Sequence, residues 1–150
     1  MADDGFAALR LHSDAEFQSW LARDVEARDE LYELIGHELG IGPASLDELE
    51  AFLLNRYPGP DDALRLDQRP VTDAAARHTG LVLVLGINGA TWDIDLTDTD
   101  DAYYRLPVVR LPDGSAECPL SLVTAALDRR TGDYLSGVTG YLIEQHDTAD

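Results

Sequence analysis

Between Asp73 and Gly89 the chain reads D-A-A-A-R-H-T-G-L-V-L-V-L-G-I-N-G, and any fold it adopts must bury that segment. Its uninterrupted apolar stretch, Leu81 to Leu85, is far below the roughly 20 residues that cross a bilayer. Two local solutions compete. In the first, Leu81 to Ile87 is a strand and Asn88-Gly89 is a tight hairpin turn into Thr91–Leu96, because Asn-Gly favours the positive φ such turns require. In the second, one long buried helix starts near Pro70, is capped by Thr72 or Asp73, and closes in a left-handed C-cap at Asn88-Gly89. Periodicity does not separate the two in a continuous apolar run.

The flanking segments carry clearer signals. Ser13 and Glu16 make an S-x-x-E pattern, in which each side chain can satisfy a free backbone N–H at a helix start. Phe17, Trp20, Leu21, Leu31, Ile35 and Leu39 then recur near helical spacing, and Gly40 supplies a stop. One helix from Ser13 to Leu39 is expected, its charged residues forming the solvated face. Ser45 and Glu48 repeat the pattern ahead of Leu46, Leu49, Phe52 and Leu53, and Tyr57-Pro58-Gly59-Pro60 ends that second helix. A single turn of helix is expected around Asp61–Leu66.

Thr91–Leu96 alternates apolar Trp92, Ile94 and Leu96 with polar residues, the pattern of a half-buried strand. Tyr103–Leu111 reads as a second strand, with Pro107 marking an edge or a bulged start. Pro112-Asp113-Gly114 is a turn, and Ser115–Cys118 is a short third strand. Pro119–Arg130 and Asp133–Gln145 read as helices, the latter disturbed by Gly137 and Gly140. The order Ala76-Arg77-x-x-Gly80, an apolar run, Gly89, then Trp92 resembles a pattern in small uncharacterised bacterial proteins, where such a helix leads through a Gly pair into a Trp-bearing strand. The resemblance covers about a quarter of the chain, has Asn88 where the pattern often has Gly, and implies no activity. It favours the helix over the hairpin. The expectation is a single α+β domain over residues 1–150, mainly helical. About four to five helices surround a small antiparallel sheet of two to three strands, and the ends at about 1–12 and 146–150 are loose.

Charge limits the partners. Eleven arginines and no lysine oppose twenty-nine acids, for a formal net charge of −18. Such a field repels phosphate backbones, so direct nucleic-acid binding is not expected. Anionic membrane surfaces are disfavoured for the same reason. A basic protein would be drawn in. A GC-rich bacterial genome or adaptation to high salt would also produce this composition. The charge is uneven, because residues 1–50 hold thirteen acids against three arginines. The lone Cys118 implies no disulfide, and the acidic start Met1-Ala-Asp-Asp-Gly is unlike a signal peptide, so a cytoplasmic location is expected.

The chemical motifs mostly fail. Asp93, Asp95, Asp98, Asp100 and Asp101 cluster, and Asp93 and Asp95 would share a strand face, so Asp93, Asp95 and Asp98 are the candidate metal ligands or acid–base groups. Counted from Asp98 as a calcium loop, the glycine position is Tyr103 and the final glutamate position is Val109. His37-Glu38 opens a zinc-protease pattern that Ile41 breaks. The histidines His12, His37, His78 and His146 are scattered. Cys118 reads as a buried structural thiol beside Glu117. No phosphate loop is possible without lysine, and no Gly-x-Ser-x-Gly elbow occurs. Trp20 and Trp92 read as core aromatics. One of Tyr103 and Tyr104 should be exposed, since neighbours on a strand face opposite ways.

These features point away from an enzyme, imply no cofactor and fix no oligomeric state. The leading expectation is an acidic interaction protein (immunity-like, regulatory or a charge mimic) that binds a basic protein. Its contacts are expected at Asp24, Glu26, Asp29, Glu30, Glu33, Tyr103 and Tyr104. The alternatives are a small metal-dependent enzyme or cation-binding domain built on Asp93–Asp101, and an accessory scaffold whose acidity serves solubility.

Overall fold

The computed structural model describes residues 5–147, and residues 1–4 and 148–150 of the expected loose ends lie outside them. The fold is mainly helical α+β, with seven α-helices and a three-stranded antiparallel sheet among the described residues. The helices are α1 (Asp14–Ala22), α2 (Asp24–Ile35), α3 (Ser45–Arg56), α4 (Pro60–Ala63), α5 (Arg69–Gly86), α6 (Pro119–Arg129) and α7 (Tyr134–Asp147). The strands are β1 (Thr91–Asp93), β2 (Val108–Arg110) and β3 (Ala116–Glu117), in the order β1-β2-β3.

The ambiguous segment is a helix. Pro70 occupies the first turn of α5, where its missing N–H costs nothing. The expected caps do other work. Thr72 donates to the Ala63 carbonyl at 2.6 Å and Asp73 is turned toward Trp20. The helix ends at Gly86 with Ile87 extended, so Gly89 (φ +91°) serves the turn into β1 and not a helix cap. Residues Ala74–Gly80 are all buried, because α5 packs against α2, α6, α7 and the sheet. A helix enclosed on several sides has no polar face, and its periodic signal disappears.

More helices form than the four to five expected. The helix read from Ser13 to Leu39 breaks at Arg23 (φ −95°, ψ 8°). The Trp20 carbonyl there accepts from Arg77 Nη1 at 2.8 Å and from the Arg23 N–H, in place of the regular bond from Asp24. A residue 57 positions away therefore interrupts the ladder. The stop is also earlier than Gly40, since Gly36 adopts φ +109° and its N–H caps Tyr32. At the start of α1 half of the capping box forms, with Ser13 Oγ accepting from the Glu16 N–H, while Glu16 Oε1 accepts from the His12 N–H, one residue before the cap. At α3 it does not. Ser45 lies inside the helix, donates to the Gly42 carbonyl and leaves Glu48 to pair with His37.

The strands are shorter than read. Asp95 Oδ1 accepts the N–H groups of Thr97 and Asp98, which turns the chain away two residues past β1. Tyr103 and Tyr104 lie in turns before β2, and Pro107 precedes that strand. β2 can therefore be the central strand, its Val109 opposite Trp92 on one side and Glu117 on the other. The main core gathers α2, α3, α5 and α6 around Leu31, Leu46, Leu49, Leu53 and Leu127, and a smaller one joins the end of α5 to the sheet through Leu83, Ile87 and Val109.

Two side chains lock α3 to the C-terminal helices. Arg130, in the left-handed region at φ 58°, donates to the Leu54 and Tyr57 carbonyls at 2.8 Å each, filling the open end of α3. In return, fully buried Glu50 of α3 accepts the Tyr134 and Leu135 N–H groups at the start of α7.

Candidate functional site

The acidic face begins with the helical repeat. Glu26, Asp29, Glu30 and Glu33 fall at i, i+3, i+4 and i+7 of α2, so they share one stripe, and all four are exposed. Leu31, Tyr32 and Ile35 point the opposite way into the core. None of the four carboxylates has a cationic partner among the described residues. Exposed Val25 and Leu34 flank the stripe, one on each side. The stripe therefore offers four unneutralised charges and two apolar shoulders on a rigid helix.

Asp24 does not belong to it. That carboxylate faces inward, bonded to Arg28 Nε at 2.9 Å and 3.4 Å from Arg77 Nη1. The Arg77 side chain is 4% exposed. Its Nε reaches Asp73 Oδ2 at 2.7 Å, and its guanidinium lies 3.9 Å from the Trp20 ring centroid. Asp73 Oδ1 takes the Trp20 indole N–H at 2.9 Å. Trp20 in turn meets Trp92 edge-on at 4.9 Å. Residues of the Ala76-Arg77-x-x-Gly80 and Trp92 pattern thus meet in space, where they brace the α1–α2 break against α5 and β1.

A Ser–His–Tyr arrangement also emerges that sequence reading did not find, because its members are far apart in the chain. His78 is fully buried, with Nδ1 2.8 Å from Tyr32 Oη and Nε2 3.1 Å from Ser45 Oγ. The Gly42 carbonyl can only accept, so the single Ser45 proton goes to it. His78 Nε2–H must then donate to Ser45 Oγ, and Nδ1 accepts from Tyr32, whose oxygen accepts from Arg28 Nη1. This directed chain gives the serine no base. It reads as a structural polar network joining α2, α3 and α5. Burial, then the nearby Arg28 charge, lowers the His78 pKa from 6.5 to about 4.

The sign of that shift sets a pH dependence. The unfolded chain binds the His78 proton below pH 6.5, while the folded chain resists it until about pH 4. The stabilisation is fully present above pH 6.5 and is lost progressively as pH falls toward 4, by up to about 3 kcal/mol. Denaturant melts at pH 7 and pH 5 should show a larger loss for wild type than for a His78→Asn variant. Equal losses in the two proteins would refute the assignment.

The acidic segment after β1 is built differently from the expected pair. Asp93 meets Arg110 Nε at 3.1 Å across the strand pair. Asp95 caps its own turn, and the N–H groups of Asp98 and Thr97 hold its carboxyl below the usual range. Asp98 accepts from the Asp100 N–H and Asp101 from the Tyr103 N–H. Among the described residues no group of three or more His, Cys, Asp or Glu is placed to hold a metal ion. Neither tyrosine is exposed as expected. Tyr103 packs on the core, and Tyr104 is half-buried beneath Arg105, because the strand that would have splayed them is a series of turns. Burial pushes the Cys118 thiol up to about 11, which leaves no thiolate to react at neutral pH.

No described helix is long and apolar enough to cross a membrane. Comparison of the chain with family models, with curated proteins and with solved structures yields no match.

Proposed function

We propose that this chain is an acidic interaction protein, without catalytic chemistry of its own, that engages a basic protein through the outer face of α2. The observation that carries the reading is the Glu26, Asp29, Glu30 and Glu33 stripe, exposed and unneutralised while Arg28 and Arg77 are committed to Asp24 and Asp73. Holding four like charges on one helix face is unfavourable in isolation, and an approaching cationic surface relieves it. The −18 net charge would speed the encounter, and Val25 and Leu34 supply apolar contact beside it.

The test uses an affinity column of wild type beside the quadruple variant Glu26→Gln, Asp29→Asn, Glu30→Gln, Glu33→Gln. Wild type should retain basic proteins of its source organism at about 0.05 M salt and release them near 1 M, where the screening length shrinks to about 3 Å. The variant should retain them at least about tenfold less well, given modest gains per exposed pair. Capture that ignores both salt and the substitutions would overturn the reading.

A further inference from the structure

A second surface is built on α1, the helix that precedes the break. An open groove of about 680 Å³ runs between α1 and the chain leaving β1. Asp14, Phe17, Gln18 and Leu21 line it from one face of α1, at i, i+3, i+4 and i+7. The facing wall is formed by the consecutive residues 92–97, with Arg110 of β2 beside them. Successive residues of an extended chain point to opposite faces. Trp92 and Asp93, which point to opposite faces of β1, both line the groove beside Arg110 of β2, so it reaches the outer edge of the strand as well as one face of the sheet.

That edge is open. β1 is an outer strand, paired with β2 on one side only. Among the described residues no backbone group of another element bonds to Thr91–Ile94 on the outer side. An unpaired edge is a template for strand addition unless shortness, charge, proline or a covering element blunts it, and this short edge carries Asp93, which admits only a cationic strand. Here there is no lysine in the chain and no proline between Thr91 and Leu106.

We infer that the groove takes an extended segment of the basic partner, which adds as a strand to the outer edge of β1 and lays its apolar side chains between α1 and Trp92. The charge on the walls selects the occupant. Asp14, Asp93 and Asp95 face Arg110 alone, and Arg110 is already paired with Asp93. Asp95 commits Oδ1 to its own turn, and among the described residues its Oδ2 has no hydrogen-bond partner. Half-buried Leu21, Ile94 and Leu96 supply the apolar floor. The occupant therefore alternates cationic and apolar residues, the pattern of a strand read on two faces. A second copy of this chain would bring another −18 charges and is disfavoured. The inference rests on the reading that the partner is basic, and adds where and in what conformation part of it binds.

The probe is a short synthetic peptide alternating arginine and valine, blocked at both ends, titrated into ¹⁵N-labelled protein at low salt. Saturable shifts and slowed amide exchange are expected at residues 91–97, with shifts at 14–21. A peptide with N-methyl groups along its pairing edge should bind at least about tenfold more weakly, since strand addition relies on main-chain hydrogen bonds. The double variant Asp14→Asn, Asp95→Asn keeps the turn acceptors and should lose about tenfold in affinity. Shifts confined to residues 26–33, or equal binding of the N-methylated peptide, overturn the groove while leaving basic-partner binding by α2 intact. No saturable shift on either surface at millimolar peptide overturns both.

Discussion

Replacing Arg77 by methionine is expected to lower the unfolding free energy by about 3 kcal/mol, the usual scale for breaking a buried charge pair by removing one partner. Methionine fills most of the same volume, so the loss is electrostatic and not a cavity. Four contacts disappear together, to Asp73, to Asp24, to the Trp20 carbonyl and to the Trp20 ring. The Asp24 and Asp73 side chains stay 21% and 26% exposed and keep some hydration, and Asp24 retains Arg28. That residual exposure holds the cost to the lower end of the range. For a domain of this size the melting temperature should fall by about 6–12 °C. Asp73→Asn preserves the acceptor for the Trp20 indole but turns an NH2 donor toward Arg77 Nε, so it should destabilise as well, with Arg77 keeping only Asp24 as a counter-charge. If Arg77→Met melts with wild type, the guanidinium is not the brace of the α1–α2 break. Because α1 forms one wall of the groove and α2 carries the stripe, the variant should also blur both surfaces, visible as broadened amide signals across residues 14–33.

The same residue shows how far the sequence could be read. Arg77 was visible as one element of a spaced pattern with Gly80 and Trp92, yet nothing local said that its guanidinium would take the Trp20 carbonyl and split a helix. Spacing reports which face of an element is apolar. It does not report which distant side chain will compete for a backbone carbonyl. The α2 stripe was legible because Glu26, Asp29, Glu30 and Glu33 obey helical periodicity by themselves. Asp24 was misplaced among them because its role depends on a partner in α5. Tyr103 and Tyr104 failed for a related reason, since their exposure was argued from a strand that the aspartate turns of residues 95–103 replace. The edge groove was out of reach altogether. It exists only once α1 is laid beside β1, a juxtaposition set by Trp20 on Trp92. Glu50 and Arg130 are the extreme case, two charged residues on unremarkable positions whose purpose is to finish helices that lie more than seventy residues away.

Gly80→Ala is expected to destabilise the protein by about 2 kcal/mol, although alanine in a helix interior ordinarily gains about 1 kcal/mol over glycine. A Cβ at this position would lie 2.2 Å from Trp92 Cη2, 2.3 Å from Cζ2 and 3.2 Å from Pro119 Cγ. Carbon atoms rest at about 3.5–4.0 Å, so the overlap exceeds an ångström. The indole cannot simply swing away, since Trp20 meets it edge-on at 4.9 Å and Trp20 is itself clamped by Arg77 and Asp73. Overpacking of this kind costs about 1–3 kcal/mol and more where the neighbour is rigid, which outweighs the propensity gain. Gly86 on the same helix is the internal control. Its added Cβ would meet Ile143 Cδ1 at 2.5 Å and Cγ1 at 2.9 Å, atoms of one half-buried side chain that is not clamped by a polar network, so Gly86→Ala should destabilise clearly less than Gly80→Ala. Equal stability of the two variants in urea would mean that Trp92 is not wedged against α5. If it is wedged, displacing it in Gly80→Ala moves an indole that lines the edge groove. Tryptophan emission should then shift, and the affinity for the arginine–valine peptide should fall while the α2 stripe keeps its salt-dependent binding.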